Sequence, residues 1–187
     1  MSKFIKDIVV VDFENTDFDI EKAEPIQIGV LVLDKDTLEE KQSYVSWIKP
    51  VQVINKELKG LKWANISDDD INQINKARPL VEVVEEMFKI LPDQYIFCAW
   101  NATFDFYLWN RLLKSVNKKR IAAQILDLWT MAYIDLLNDD KYEGNYGSES
   151  VFQYFGAEPR KKHDGLEDCR LEAMLLKKLL ERQWKNN

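Results

Sequence analysis

The stretch Asp7-Ile8-Val9-Val10-Val11-Asp12-Phe13 decides the fold. Four consecutive apolar residues, all of them β-branched, predict a strand buried on both faces and therefore central in a sheet. Reading outward, residues 26–34 and 41–49 form two further strands, joined through the turn at Asp34-Lys35-Asp36 as a hairpin, and Pro50 closes this sheet region. Residues 51–78 are polar and irregular, apart from a short helix opened by the capping-box pattern Ser67-Asp68-Asp69-Asp70. Strands and helices then alternate: helix 79–90, strand 94–99, helix 103–116, strand 121–127, helix 128–138, loop 138–148, helix 149–155 and a long helix 164–182. This order predicts an α/β protein with a mixed five-stranded sheet flanked by helices. Nothing in it reads as a linker, so residues 1–187 are taken as one domain with a core over about 7–182.

Composition narrows the function classes. Of the 187 residues, 46% are hydrophobic, which suits a globular chain. Charges occupy the first residues where a secretory leader needs an apolar run, and no apolar run is long enough for a bilayer. A soluble, cytoplasmic protein without membrane association is expected. Cys98 and Cys169 belong to no CxxC pair and read as buried free thiols rather than zinc ligands. The net charge of −6 is unlike that of a duplex-clamping protein, so any nucleic acid has to be held by metals and a local basic patch.

Chemistry is signalled by acids that interrupt apolar patterns. Side chains alternate along a strand, so Ile8, Val10, Asp12 and Glu14 share one face. A strand emerging into solvent also carries acids at such positions, and this segment alone does not decide. In the helix after Thr103, Asp105 falls inside the stripe of Leu108, Trp109, Leu112 and Leu113. The helix dipole favours a first-turn acid, but it does not explain an acid that faces inward. Asp168 repeats the pattern between Leu175 and Leu179, while Glu172, Lys177 and Lys178 are placed off the centre of that arc. The chain offers no buried Arg or Lys in matching positions. Four acids pointing inward cannot stay uncompensated, and an all-oxygen donor set selects hard divalent cations, Mg²⁺ or Mn²⁺. His163, five residues before Asp168, can accept a proton from an attacking water. Carboxylates holding two cations together with an imidazole suit phosphodiester hydrolysis. GxSxG, GxxxxGK[ST] and GxGxxG motifs are all missing.

Three segments together resemble a known family. Val11-Asp12-Phe13-Glu14, Asn101-Ala102-Thr103-Phe104-Asp105 and His163-Asp164-Gly165-Leu166-Glu167-Asp168 are similar, in order and spacing, to the three motifs of the DEDDh (DnaQ-like) 3′→5′ exonucleases. That family includes the epsilon proofreading subunit of DNA polymerase III and RNase T. Pro25-Ile26-Gln27-Ile28-Gly29, Ile48-Lys49-Pro50, Ile66-Ser67-Asp68 and Leu126-Asp127 add softer similarities. The resemblance implies an RNase H-like fold, two divalent cations held by Asp12, Glu14, Asp105 and Asp168, and His163 as general base. It also implies release of nucleoside 5′-monophosphates. Where the family usually has Thr-Thr-Gly after the first motif, this chain has Asn15-Thr16-Asp17. Asn15, Thr16, Phe18 and Asn101 are expected to line the terminal-nucleotide pocket, and Trp100 to fill core. Arg160-Lys161-Lys162, with Lys114, Lys118, Lys119 and Arg120, are a candidate guide for the strand's phosphates.

Three readings remain open on these residues. One is an exonuclease acting on the 3′ end of single-stranded or frayed DNA, with a DNA polymerase as a candidate partner. Another is an RNA 3′-end-trimming enzyme with the same chemistry. The third, from a different class, is a non-catalytic module that binds nucleic acid or a polymerase.

Overall fold

The computed structural model describes residues 4–118, 124–137 and 139–185. Strand β1 (Asp7–Asn15) lies at the middle of the sheet. It pairs antiparallel with β2 (Pro25–Leu33) and parallel with β4 (Tyr95–Ala99). Beyond these lie β3 (Glu40–Trp47), antiparallel to β2, and β5 (Gln124–Asp127), parallel to β4, giving the order β3-β2-β1-β4-β5. The mixed five-stranded sheet is therefore as the sequence predicts. The expected residues 121–123 of the last strand lie outside the described residues.

Alternation along β1 divides the core in two. Val9, Val11 and Phe13 pack with α3 (Leu80–Met87) and α4 (Ala102–Ser115). Ile8 and Val10 pack on the opposite face with α5 (Leu128–Leu136), α6 (Ser148–Tyr154) and α7 (Gly165–Lys185). Asp12 and Glu14 continue the second row, so they face the side that α7 covers.

The stretch read as irregular holds more than one helix. Besides α2 (Asp68–Asn75), whose Ser67–Asp70 capping box forms as expected, Lys59–Trp63 makes a five-residue helix, α1. Five residues are too few to display a 3.6-residue repeat, which is why the sequence did not show it. Gly60 seats α1 directly on the end of β1: a Cβ there would lie 1.9 Å from the Asn15 carbonyl oxygen. Cys98 and Cys169 are both buried and free, as expected.

A second close approach fixes α7. A Cβ on Gly29 of β2 would lie 2.0 Å from the Gly165 carbonyl oxygen at the start of the helix. Buried Gln27 adds directed bonds. Its Oε1 accepts from the Gly165 N–H at 2.7 Å and its Nε2 donates to Asp164 at 3.3 Å. Strand β2 thus locates the N-terminus of α7, and with it His163 and Asp168, beside the C-terminal end of β1.

Gly29→Ala is expected to lower the unfolding midpoint by about 3–10 °C, because overpacking of rigid backbone costs roughly 1–3 kcal/mol in a chain of this size. Differential scanning calorimetry measures this, and an unchanged midpoint would contradict the backbone contact.

Candidate active site

The parallel strands β1, β4 and β5 end on the same edge of the sheet, where ligands gather in open α/β folds. There a cleft of about 650 Å³ is lined by Asp12, Glu14, Asp105, His163 and Asp168, together with Asn15, Phe18 and Asn101. Each element delivers its side chain by a local device. The register of β1 against β2 shifts between Glu14 and Asn15, an irregularity of the kind that re-aims side chains beside active sites. Asn101 takes the left-handed conformation (φ 54°), which Asn tolerates better than most residues, and so turns the chain from β4 into α4. Asp127 ties the next turn: one oxygen accepts from the Ala102 N–H and the other from the Thr130 N–H, both at 2.7 Å. Asp105 then points inward from the first turn of α4, and Asp168 from the first turn of α7.

Electrostatics confirm that this is a costly arrangement. Burial first, and the Asp168, Asp164 and Asp105 carboxylates next, push the Glu14 carboxyl up to about 8, against a smaller opposing pull from Arg160. Burial likewise pushes Asp105 up to about 8, although a hydrogen bond from the Phe13 backbone opposes it. Asp12 is raised well above the usual carboxylate range by burial and then by Glu14, Asp168, Glu172 and Asp105. Oxygens Asp12 Oδ2 and Glu14 Oε1 are buried with no hydrogen-bond donor. Among the described residues, Glu14, His163 and Asp168 each place one ligand atom within 4.8 Å of the other two. Orphaned hard-oxygen donors in a water-accessible cleft fit a divalent cation.

The structure corrects three expectations. A buried cation does approach the acids. Arg160, with an 11% exposed side chain, donates from Nη1 to Asp168 Oδ1 at 3.0 Å and from Nε to Glu149 Oε2 at 2.9 Å. Read by sequence as part of a phosphate guide, it sits in a loop where no periodicity shows its facing. One guanidinium offsets one charge and leaves Asp12 Oδ2 and Glu14 Oε1 without a donor. Glu172, placed off the buried arc by the sequence, is 2% exposed. Four residues advance a helix by about 400°, so Glu172 lies only some 40° round from Asp168. Thr16 is fully buried and turned away from the cleft: its hydroxyl accepts from the Glu24 N–H (3.0 Å) and from Gln52 Nε2 (2.9 Å).

The other expected residues do reach the cleft. Asn15 donates to the Phe13 carbonyl at 2.9 Å and keeps Oδ1 unpartnered, while Phe18 is 54% exposed. Trp100 is partly buried against Phe152 but also lines the cleft. Of the basic guide, Lys162 pairs with Asp70 at 3.4 Å, and Lys119 and Arg120 lie outside the described residues. The sequence reading missed Trp63. Its ring lies 3.9 Å from the His163 ring and meets Phe18 edge-on at 5.9 Å, so α1 adds an aromatic wall to the cleft. A tryptophan in a polar stretch was the available signal. His163 Nδ1 is 3.0 Å from Asp168 Oδ2 and 3.4 Å from Arg160 Nη1. The nearer partner, a carboxylate, assigns the proton to Nδ1 and leaves Nε2 as the basic nitrogen.

The model of the Exonuclease (RNase T) family matches residues 9–176 of the chain. DNA polymerase III PolC-type from Thermotoga maritima is 30% identical over 176 residues, which make up 92% of this chain but 12% of that protein. The chain thus spans about an eighth of the length of this relative. Among solved structures, E. coli exonuclease I in complex with a 5cy-dT13 oligonucleotide superposes with a TM-score of 0.77 at 11% identity, covering 96% of this chain and 42% of the other. The nuclease domain of 3′hExo, a DEDDh family member bound to rAMP, gives 0.71 at 17% identity, covering 97% and 95%.

The raised carboxyls set the sign of a pH effect. Between the ordinary carboxylate range and about pH 8, the folded chain retains protons on Glu14 and Asp105 that the unfolded chain has released. Metal-free stability is therefore greatest below that range and falls as pH rises through 8. The unfolding midpoint without cations is expected to drop by on the order of 5 °C from pH 5 to 8.5, with Mn²⁺ restoring it at the upper pH and having little effect at the lower. A flat profile with no Mn²⁺ response would contradict the site.

Proposed function

The chain belongs to the exonuclease family, and from that premise we propose that it removes nucleotides one at a time from the 3′ end of single-stranded or frayed DNA, releasing nucleoside 5′-monophosphates. The observation that carries this reading is the meeting of Asp12, Glu14, Asp105, Asp168 and His163 from three separate segments on one cleft. Asp12, Glu14, Asp105 and Asp168 would hold two divalent cations, Mg²⁺ or Mn²⁺. When bound, the cations supply charge stabilisation for the phosphorane-like transition state and make the attacking water more acidic.

The remaining work falls to this chain's own side chains. His163 takes the water's proton at Nε2 while Nδ1–H holds the ring against Asp168. Trp63 backs the imidazole and, with Phe18, offers an aromatic surface on which a terminal base can stack. Asn101, exposed and lining the cleft, offers a polar contact for the terminal nucleotide. DNA is preferred as substrate because a relative at 30% identity is a DNA polymerase. For the same reason a polymerase is the candidate partner. Among the described residues, no helix is long and apolar enough to cross a membrane.

End-labelled single-stranded DNA, duplex DNA and RNA, incubated with purified protein and Mn²⁺, test the reading together. A ladder of products shortened from the 3′ end of DNA is expected. Chelator should abolish it, and Asp12→Ala should reduce its rate roughly 1000-fold or more. Activity that survives both treatments would reject the mechanism, and ladders on RNA alone would reassign the substrate.

A further inference from the structure

We infer that Glu172 is a fifth acid of the cation site, one helical turn beyond Asp168 on α7 and outside the cluster of Glu14, His163 and Asp168. This rests on the reading of the cleft as a cation site. Glu172 stands one helical turn beyond Asp168 on α7 and lines the same cleft. It is 2% exposed, and its Oε2 is buried with no donor. Among the described residues, the Trp100 backbone, which hydrogen-bonds to the carboxylate, opposes its burial, and Arg160 does so more weakly.

A glutamate needed only to hold the Trp100 N–H would be served as well by glutamine, which offers the same carbonyl acceptor without a buried charge. Retaining an ionisable group with one orphaned oxygen among Asp12, Asp105 and Asp168 is unfavourable unless a cation answers it. The ligand cluster of Glu14, His163 and Asp168 leaves Glu172 out. Glu172 therefore extends the acid set beyond that cluster, along α7.

The test is Mn²⁺ binding by isothermal titration calorimetry on the full chain, comparing wild type, Glu172→Gln and Glu172→Met, with Asp12→Asn as control. Glu172→Gln is expected to keep the wild-type circular dichroism spectrum and to melt, metal-free, no lower than wild type. Its Mn²⁺ affinity is expected to fall about tenfold or more. Glu172→Met has similar length and no charge, and it gives the same readout if the glutamine variant folds poorly. Wild-type Mn²⁺ affinity in Glu172→Gln, with or without a loss in Glu172→Met, would overturn the inference and leave Glu172 a structural acceptor for Trp100. If Asp12→Asn also binds Mn²⁺ as wild type does, the cation reading of the whole cleft fails, and not this assignment alone.

Discussion

Mutual repulsion among buried carboxylates is the constraint around which this molecule is built. Asp12, Glu14, Asp105, Asp168 and Glu172 are held close together on one cleft. Left to themselves, such groups would separate or recruit water. They stay together because the backbone carrying them is fixed by contacts that do not involve them. Backbone lies against backbone at Gly29 and Gly165, and Gln27 bonds to the start of α7. Asp127 bridges the N-termini of two helices. Hydrophobic packing on both faces of the sheet supplies the stability that the cleft consumes.

Arg160 shows how the chain manages part of that cost. Its guanidinium is shared among Asp168, Glu149 and Ser148 and rests over Phe152, so it stays at one side of the acids rather than among them. Asp168 and His163 are thereby ordered, while Asp12 and Glu14 keep oxygens with no donor. A cleft neutralised throughout by arginine or lysine would be a structural ion-pair network. Here the compensation is partial, and what remains is suited to a removable positive charge. This also reconciles an acidic chain with a nucleic-acid substrate, since phosphates can be drawn by bound cations instead of by a basic surface.

Much of the molecule was legible in the sequence because its signals are periodic. The apolar run in β1 fixed the central strand, and the period-two alternation put Asp12 and Glu14 on the α7 side. The helical stripes containing Asp105 and Asp168 were correctly read as facing inward. What escaped lies where no period exists or where an assumption about polarity intervened. Trp63 sits in a five-residue helix that only tertiary structure brings to His163, and Arg160, three residues before His163, sits in a loop with no period to show its facing. Thr16 was assigned by motif position, yet its hydroxyl is consumed by Glu24 and Gln52. Glu172 could have been found, since its spacing from Asp168 places it on the buried arc, but a charged residue was taken to avoid that arc.

The central claim is that a set of buried acids is completed by cations. Diffraction at the manganese edge from a crystal grown with Mn²⁺ and a nucleoside 5′-monophosphate tests it most directly. Anomalous peaks among Asp12, Glu14, Asp105 and Asp168 are the expected result, with the once-orphaned oxygens of Asp12 and Glu14 turned toward them. A fully occupied nucleotide in the cleft with no manganese signal, and the acids still facing only one another and Arg160, would contradict the account.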